Sequence, residues 1–150
     1  MTMDRVHIVS WLLTRKCNLK CSYCRIVRNY KDIPEVYPPI SNYHKNEMST
    51  EMVLKGLEGF KNHNPDSFHI LYGGEPLLRK DLPEIVQFCN INSINYTIIT
   101  NNSDDVQPMI ENLLTKVNHV VGLTSSVDPI IFDKTASGDR LEKSIAGLKK

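Results

Sequence analysis

Apolar positions along this chain gather into short blocks of two kinds, and the two kinds take turns. Val6–Leu13 (VHIVSWLL) is rich in β-branched and aromatic residues and predicts a buried strand. Ser49 is placed to cap a helix that has Glu51 in its first turn and runs to about Phe60. Phe68–Tyr72 (FHILY) predicts a second strand, and the apolar spacing from Leu82 to about Asn90 a second helix. A third strand is predicted over Tyr96–Thr100 (YTIIT) and a third helix over Val106–Leu114, with Pro108 in its opening turn. His119–Leu123 (HVVGL) and Leu141–Lys150 predict a fourth strand and a fourth helix.

Strand followed by helix, four times over, implies an α/β fold of parallel strands joined by right-handed crossovers, in an open sheet or a partial (β/α) barrel. No internal repeat and no low-complexity tract interrupts it. Arg25–Met48 is the exception, a long irregular stretch holding Pro34, Pro38, Pro39 and several tyrosines. Loops of that length are usually functional or disordered. Each unusual cluster of residues follows a strand: Cys17–Cys24, Gly73–Pro76, Asn101-Asn102 and Ser125–Asp128. In barrels of this kind the C-terminal strand ends carry the active site, so the four clusters are expected at one mouth.

Composition narrows the field. A length of 150 residues suffices for one domain with a core, and 41% hydrophobic with 23% charged residues is ordinary for a globular protein. The net charge of +1 gives no reason to expect nucleic acid or an anionic membrane as partner. Charge is unevenly spread, with Arg5, Arg15, Lys16, Lys20, Arg25, Arg28 and Lys31 set against Asp4 alone. A solvated face accounts for this; so does compensation for an anionic cofactor. Val6–Leu13 contains His7 and Ser10 and falls far short of the ~20 residues of a spanning helix. No signal-peptide cleavage site precedes the cysteines. The expected location is therefore the cytoplasm, where closely spaced thiols point to metal or catalysis rather than disulfides.

Cys17, Cys21 and Cys24 are spaced C-x3-C-x2-C in the segment CNLKCSYC. Iron–sulfur clusters are held by cysteine thiolates, usually four. Three leave one iron without a protein ligand, and an open coordination position is where a substrate or cofactor binds a metal. A structural zinc site would need a fourth Cys or His nearby, and the next histidine downstream is His44, in the proline-rich stretch. The remaining cysteine, Cys89, lies in the second helix beside Phe88, where a buried core thiol is expected.

With the aromatic Tyr23 before its last cysteine and a strand directly before its first, this segment resembles the radical S-adenosylmethionine (SAM) superfamily. The resemblance implies a [4Fe–4S] cluster on Cys17, Cys21 and Cys24, with SAM chelating the open iron through its amino and carboxylate groups. It also implies a partial barrel, of which about four of the usual six strand–helix units are present. Residues 1–150 would then be a core domain incomplete at its C-terminus. Gly73-Gly74-Glu75-Pro76 looks like the family's GGE segment, which binds the methionyl amino group, and Leu77–Leu82 matches its usual continuation. Paired glycines there also fit a plain tight turn. Thr100-Asn101-Asn102 resembles the family's T-N-G, with Asn, which tolerates a left-handed backbone, in the glycine position. Ser126 and Asp128 resemble an S-x-D segment that contacts the SAM ribose or the substrate.

The chemistry so implied is reductive cleavage of SAM to methionine and a 5′-deoxyadenosyl radical, which abstracts hydrogen from a substrate. An electron donor such as flavodoxin or ferredoxin is implied with it, as is a small-molecule or peptide substrate. Residues 129–148 are similar to the corresponding segment of the cyclase that makes the molybdopterin precursor, and of peptide-modifying members. A non-catalytic iron–sulfur or zinc module, an inactive scaffold and an activase acting on a partner protein stay open. His69, between apolar neighbours, reads as a satisfied or surface histidine, and Trp11 as core. Gly74→Val is expected to spare the cluster and weaken SAM binding.

Overall fold

Among the described residues four strands form one sheet: β1 (Ile8–Thr14), β2 (Phe68–Gly73), β3 (Asn95–Thr100) and β4 (Leu123–Ser125). They pair in parallel in the order β1-β2-β3-β4, each beside its successor in the chain. The computed structural model describes residues 7–19, 24, 47–117 and 122–125. Helix α1 (Thr50–His63) connects β1 to β2, α2 (Leu82–Ile91) connects β2 to β3, and α3 (Gln107–Lys116) connects β3 to β4. Strand–helix alternation with sequential parallel pairing is the partial-barrel arrangement expected from the sequence.

The helices form where local chemistry favours them. Ser49 caps α1, its hydroxyl accepting from the Met52 amide at 3.2 Å. Val53 and Leu57, four apart on one face of α1, are buried. On α2 the buried set is Leu82, Ile85, Val86 and Cys89. Pro83 and Pro108 sit in the first turns of α2 and α3, where a missing N–H costs nothing. Facing these helices, the strands contribute Trp11 and Leu13, His69 and Leu71, Tyr96 and Ile98, each pair two apart and buried. The other sheet face, with Leu12, Ile70, Tyr72, Thr97 and Ile99, is half-buried.

His69 is a polar member of this core. It has no exposed surface, and Trp11 Nε1 donates to its Nδ1 at 2.9 Å while Ser67 Oγ lies 2.9 Å from its Nε2. With Nδ1 accepting, Nε2 carries the proton and donates to Ser67. His69 is thus the satisfied histidine, not a surface one, and Trp11 is core.

Two features depart from the sequence expectation. Among the described residues the fourth strand covers Leu123–Ser125, with Leu123 beside Ile98 and Ser125 beside Thr100, and so runs two residues past its expected end at Leu123. The Gly122 carbonyl accepts from the Ile98 amide at 2.9 Å; residues 118–121, over which most of this strand is expected, lie outside the described residues, as does the expected fourth helix. Short 3-10 turns also precede α2 and α3, at Pro76–Leu78 and Asp104–Val106.

Candidate functional site

Because the strands run the same way, the segments that leave β1, β2 and β3 meet along one end of the sheet. There the chain beyond β1 and the chain beyond β2 lie backbone against backbone. Gly74 N donates to Thr14 O and Glu75 N to Lys16 O, each at 2.8 Å. This contact is why both residues before Glu75 are glycines. A Cβ on Gly73 would stand 2.2 Å from Thr14 O, and one on Gly74 2.2 Å from Lys16 O. The glycine pair brings the GGE ribbon into register with the residues that enter the cysteine segment.

Glu75 continues the same function with its side chain. It is fully buried, and its Oε1 accepts from the Leu77 amide at 3.1 Å, capping the 3-10 turn. Both carboxylate oxygens accept from Thr100 Oγ1 at 3.0 Å, and Oε2 accepts from the Asn101 amide at 2.8 Å. One carboxylate therefore ties the end of β2 to the end of β3. Asn102 takes the left-handed conformation at φ 49°, which accommodates the Asn found in place of glycine.

Cys17 lies three residues past β1 and is half-buried. Its sulfur accepts from the Leu19 amide at 3.4 Å and from Asn101 Nδ2 at 3.8 Å. Burial pushes its pKa up; the Leu19 amide opposes this, the Glu75 carboxylate adds to it, the Asn101 amide opposes it, and the neighbouring Cys24 thiol adds to it. Asn18 links the cysteine segment to the end of β3. Its Oδ1 accepts from Asn101 Nδ2 at 2.8 Å and its Nδ2 donates to Ser103 Oγ at 2.9 Å.

The structure thus brings together Cys17, Gly73, Gly74, Glu75 and Asn101 from three strand ends, with Cys24 close enough to Cys17 to act on its charge. Cys21, Tyr23, Ser126 and Asp128 lie outside the described residues. Cys89 is far from this chemistry in role: buried in α2, its thiol is pushed up to about 12 by desolvation, as for a core cysteine. Among the described residues no three Cys, His, Asp or Glu side chains gather as a metal site. Two free, part-buried cysteines, one with N–H groups directed at its sulfur, are nevertheless the donor chemistry that a thiolate-held cluster requires.

Several participants have partners that no spacing in the sequence predicts. Glu47 Oε1 accepts from Thr14 Oγ1 at 2.7 Å and from the Arg15 amide at 3.0 Å. Arg79 Nη1 donates to Leu13 O at 2.6 Å and to Met48 O at 3.1 Å, while Nε and Nη2 hold both oxygens of Asp81. That pairing holds the Asp81 carboxyl at about 2, helped by Thr50 Oγ1. Asn18 reads as one polar residue of a cysteine loop until its partners, more than 80 positions away, are seen.

The sequence profile of the Radical SAM superfamily matches residues 11–150. The chain is 34% identical over 125 residues to the Fe-coproporphyrin III synthase of Methanosarcina barkeri, covering 81% of this chain and 26% of that protein. It is 30% identical over 142 residues to the probable GTP 3′,8-cyclase of Methanococcus maripaludis, covering 92% of this chain and 43% of the relative. To the GTP 3′,8-cyclase of Cronobacter sakazakii it is 29% identical over 141 residues, covering 91% and 39%. The chain spans less than half the length of each of these relatives.

Proposed function

Because the chain belongs to the radical SAM superfamily, whose members use a [4Fe–4S] cluster and SAM, we propose that it binds both and cleaves SAM reductively. The observation that supports this most is the junction of three strand ends around Cys17. Cys17, Cys21 and Cys24 are the cluster ligands in this reading. The cluster, when bound, supplies the electron that splits SAM into methionine and a 5′-deoxyadenosyl radical, the species that takes hydrogen from the substrate.

The protein's own part is to orient and enclose. The Leu19 amide and the Asn101 side chain donate toward Cys17 Sγ and favour its thiolate. The methionyl amino group falls to the backbone of Gly73 and Gly74, because the Glu75 carboxylate is already committed to Leu77, Thr100 and Asn101. Ser126 and Asp128 take the sugar end. Tyr23 and Asn101 complete the cofactor contacts.

The relatives' names cover two reactions, a porphyrin-type synthesis and a nucleotide cyclisation, at similar identity, so hydrogen abstraction is the shared statement and the substrate is left as a small molecule or peptide. Electrons come from a flavodoxin- or ferredoxin-type donor, and the reaction takes place in the cytoplasm. Among the described residues no helix is long and apolar enough to cross a membrane.

Anaerobic reconstitution with iron and sulfide, followed by reduction with SAM present, tests the reading. Free 5′-deoxyadenosine is expected from the natural chain and not from Cys17→Ala. A colourless zinc protein, or a brown cluster that never responds to SAM, would instead indicate a non-catalytic module.

A further inference from the structure

The cysteine segment is entered from β1 at Leu13–Arg15, and Glu47 and Met48 lead into α1. Two charged side chains join these points. Glu47 accepts from Thr14 Oγ1, 33 positions away, and from the Arg15 amide at 3.0 Å. Arg79 arrives from beyond β2 and donates through one nitrogen to Leu13 O and Met48 O, one carbonyl on each side. Its side chain is only 9% exposed, and Asp81 fixes the other edge of the guanidinium. Asp81 is itself held by Thr50, the first residue of α1, at 2.6 Å.

We propose that Arg79 and Glu47 form a clasp that sets the entry angle of the cysteine segment, acting as positioning residues for the cluster. The inference rests on the radical SAM reading of the site. Proximity alone does not require such groups, since the entropic cost of closing a loop grows slowly with its length. Directional, charged hydrogen bonds do more than close it. They fix Leu13, Thr14 and Arg15 in orientation as well as position, directly before Cys17. On its far side, the same stretch is fixed by the Gly74 and Glu75 amides. The chain therefore reaches Cys17 held from both sides. Arginine suits the task because its planar fork serves two carbonyls and a carboxylate together, whereas a lysine ammonium is a point charge with three donors.

The test uses the whole chain as Arg79→Lys, which keeps the charge and loses the fork, and Glu47→Ala, with Glu47→Gln as the conservative variant. Two readouts are needed. In the cluster-free chain, amide hydrogen exchange across residues 14–19 is expected to quicken about tenfold in Glu47→Ala and Arg79→Lys, as for the loss of a charge-assisted hydrogen bond. After reconstitution, the SAM concentration that perturbs the electron paramagnetic resonance of the reduced cluster is expected to rise about tenfold or more. Glu47→Gln, which keeps an acceptor oxygen, should restore most of both.

Exchange and SAM response both unchanged in Glu47→Ala and Arg79→Lys would overturn the clasp. Faster exchange with an unchanged SAM response would reduce it to a structural tie and overturn the positioning role. Failure of the natural chain to assemble any cluster would sink the proposed cluster binding and SAM cleavage, and the positioning role with them, a result that no variant is needed to recognise.

Discussion

Glu75 is an acid with no exposed surface whose carboxylate accepts from three donors, the Leu77 amide, the Thr100 hydroxyl and the Asn101 amide. An amide in its place would present donors to donors. Glu75→Gln is therefore expected to lower stability by about 2 kcal/mol, the range for losing a hydrogen bond to a buried charged group. Urea denaturation measures it; an unchanged midpoint would show that Thr100 and Asn101 are held by other means. Gly74 makes a separate point. A methyl there would collide with Lys16 O, one residue before Cys17. The expectation that a larger side chain at Gly74 spares the cluster is accordingly revised. Gly74→Ala should lower both bound iron and the thermal midpoint, and normal iron content with weakened SAM binding would restore the simpler view. Residue chemistry made the cysteines and the glycine pair legible in the sequence. Glu47 and Arg79 were not legible, because their partners are remote in the chain and no spacing rule connects them.

The seam between β1 and β2 is where the elements couple to pH. His69 on β2 accepts from Trp11 on β1, and Phe60 of α1 packs against both rings with centroids about 6 Å away. Burial lowers the His69 pKa from its ordinary 6.5. A histidine whose folded pKa is depressed binds protons more readily once unfolded, so its contribution to stability is complete above 6.5 and declines as pH falls below that value. The thermal midpoint is expected to drop between about pH 7 and 5 and to drop less in His69→Gln, since glutamine can accept and donate without titrating. Parallel slopes for the two proteins would exclude His69 as the cause. Element types were readable because periodicity differs between strand and helix, as at Phe68–Tyr72 and Leu82–Asn90. The far end of β4 was not, since the apolar run stops at Leu123 while pairing with Ile99 and Thr100 carries the strand on to Ser125.

Among the described residues strand order equals chain order, and the segments that follow β1, β2 and β3 leave the same end of the sheet. That regularity made the convergence of the segments around Cys17, Gly73–Glu75 and Asn101 legible in the sequence. It also has a temporal side. Cys17 is near the start of the chain, but the Asn101 amide that reaches its sulfur, and the Thr100 hydroxyl that steadies Glu75, come more than 80 residues later. A ribosome adds roughly 5–20 residues each second. For several seconds of synthesis, then, the Cys17 thiol exists without the Asn101 amide that reaches its sulfur. Neighbouring strands can pair as they emerge, each finding its partner already made, yet the setting around Cys17 is finished only when β3 docks. Delivery of iron and sulfide to a nascent chain ending before Thr100 would meet cysteines without their surroundings. The time at which this protein can first be loaded is thus written into the order of its strands.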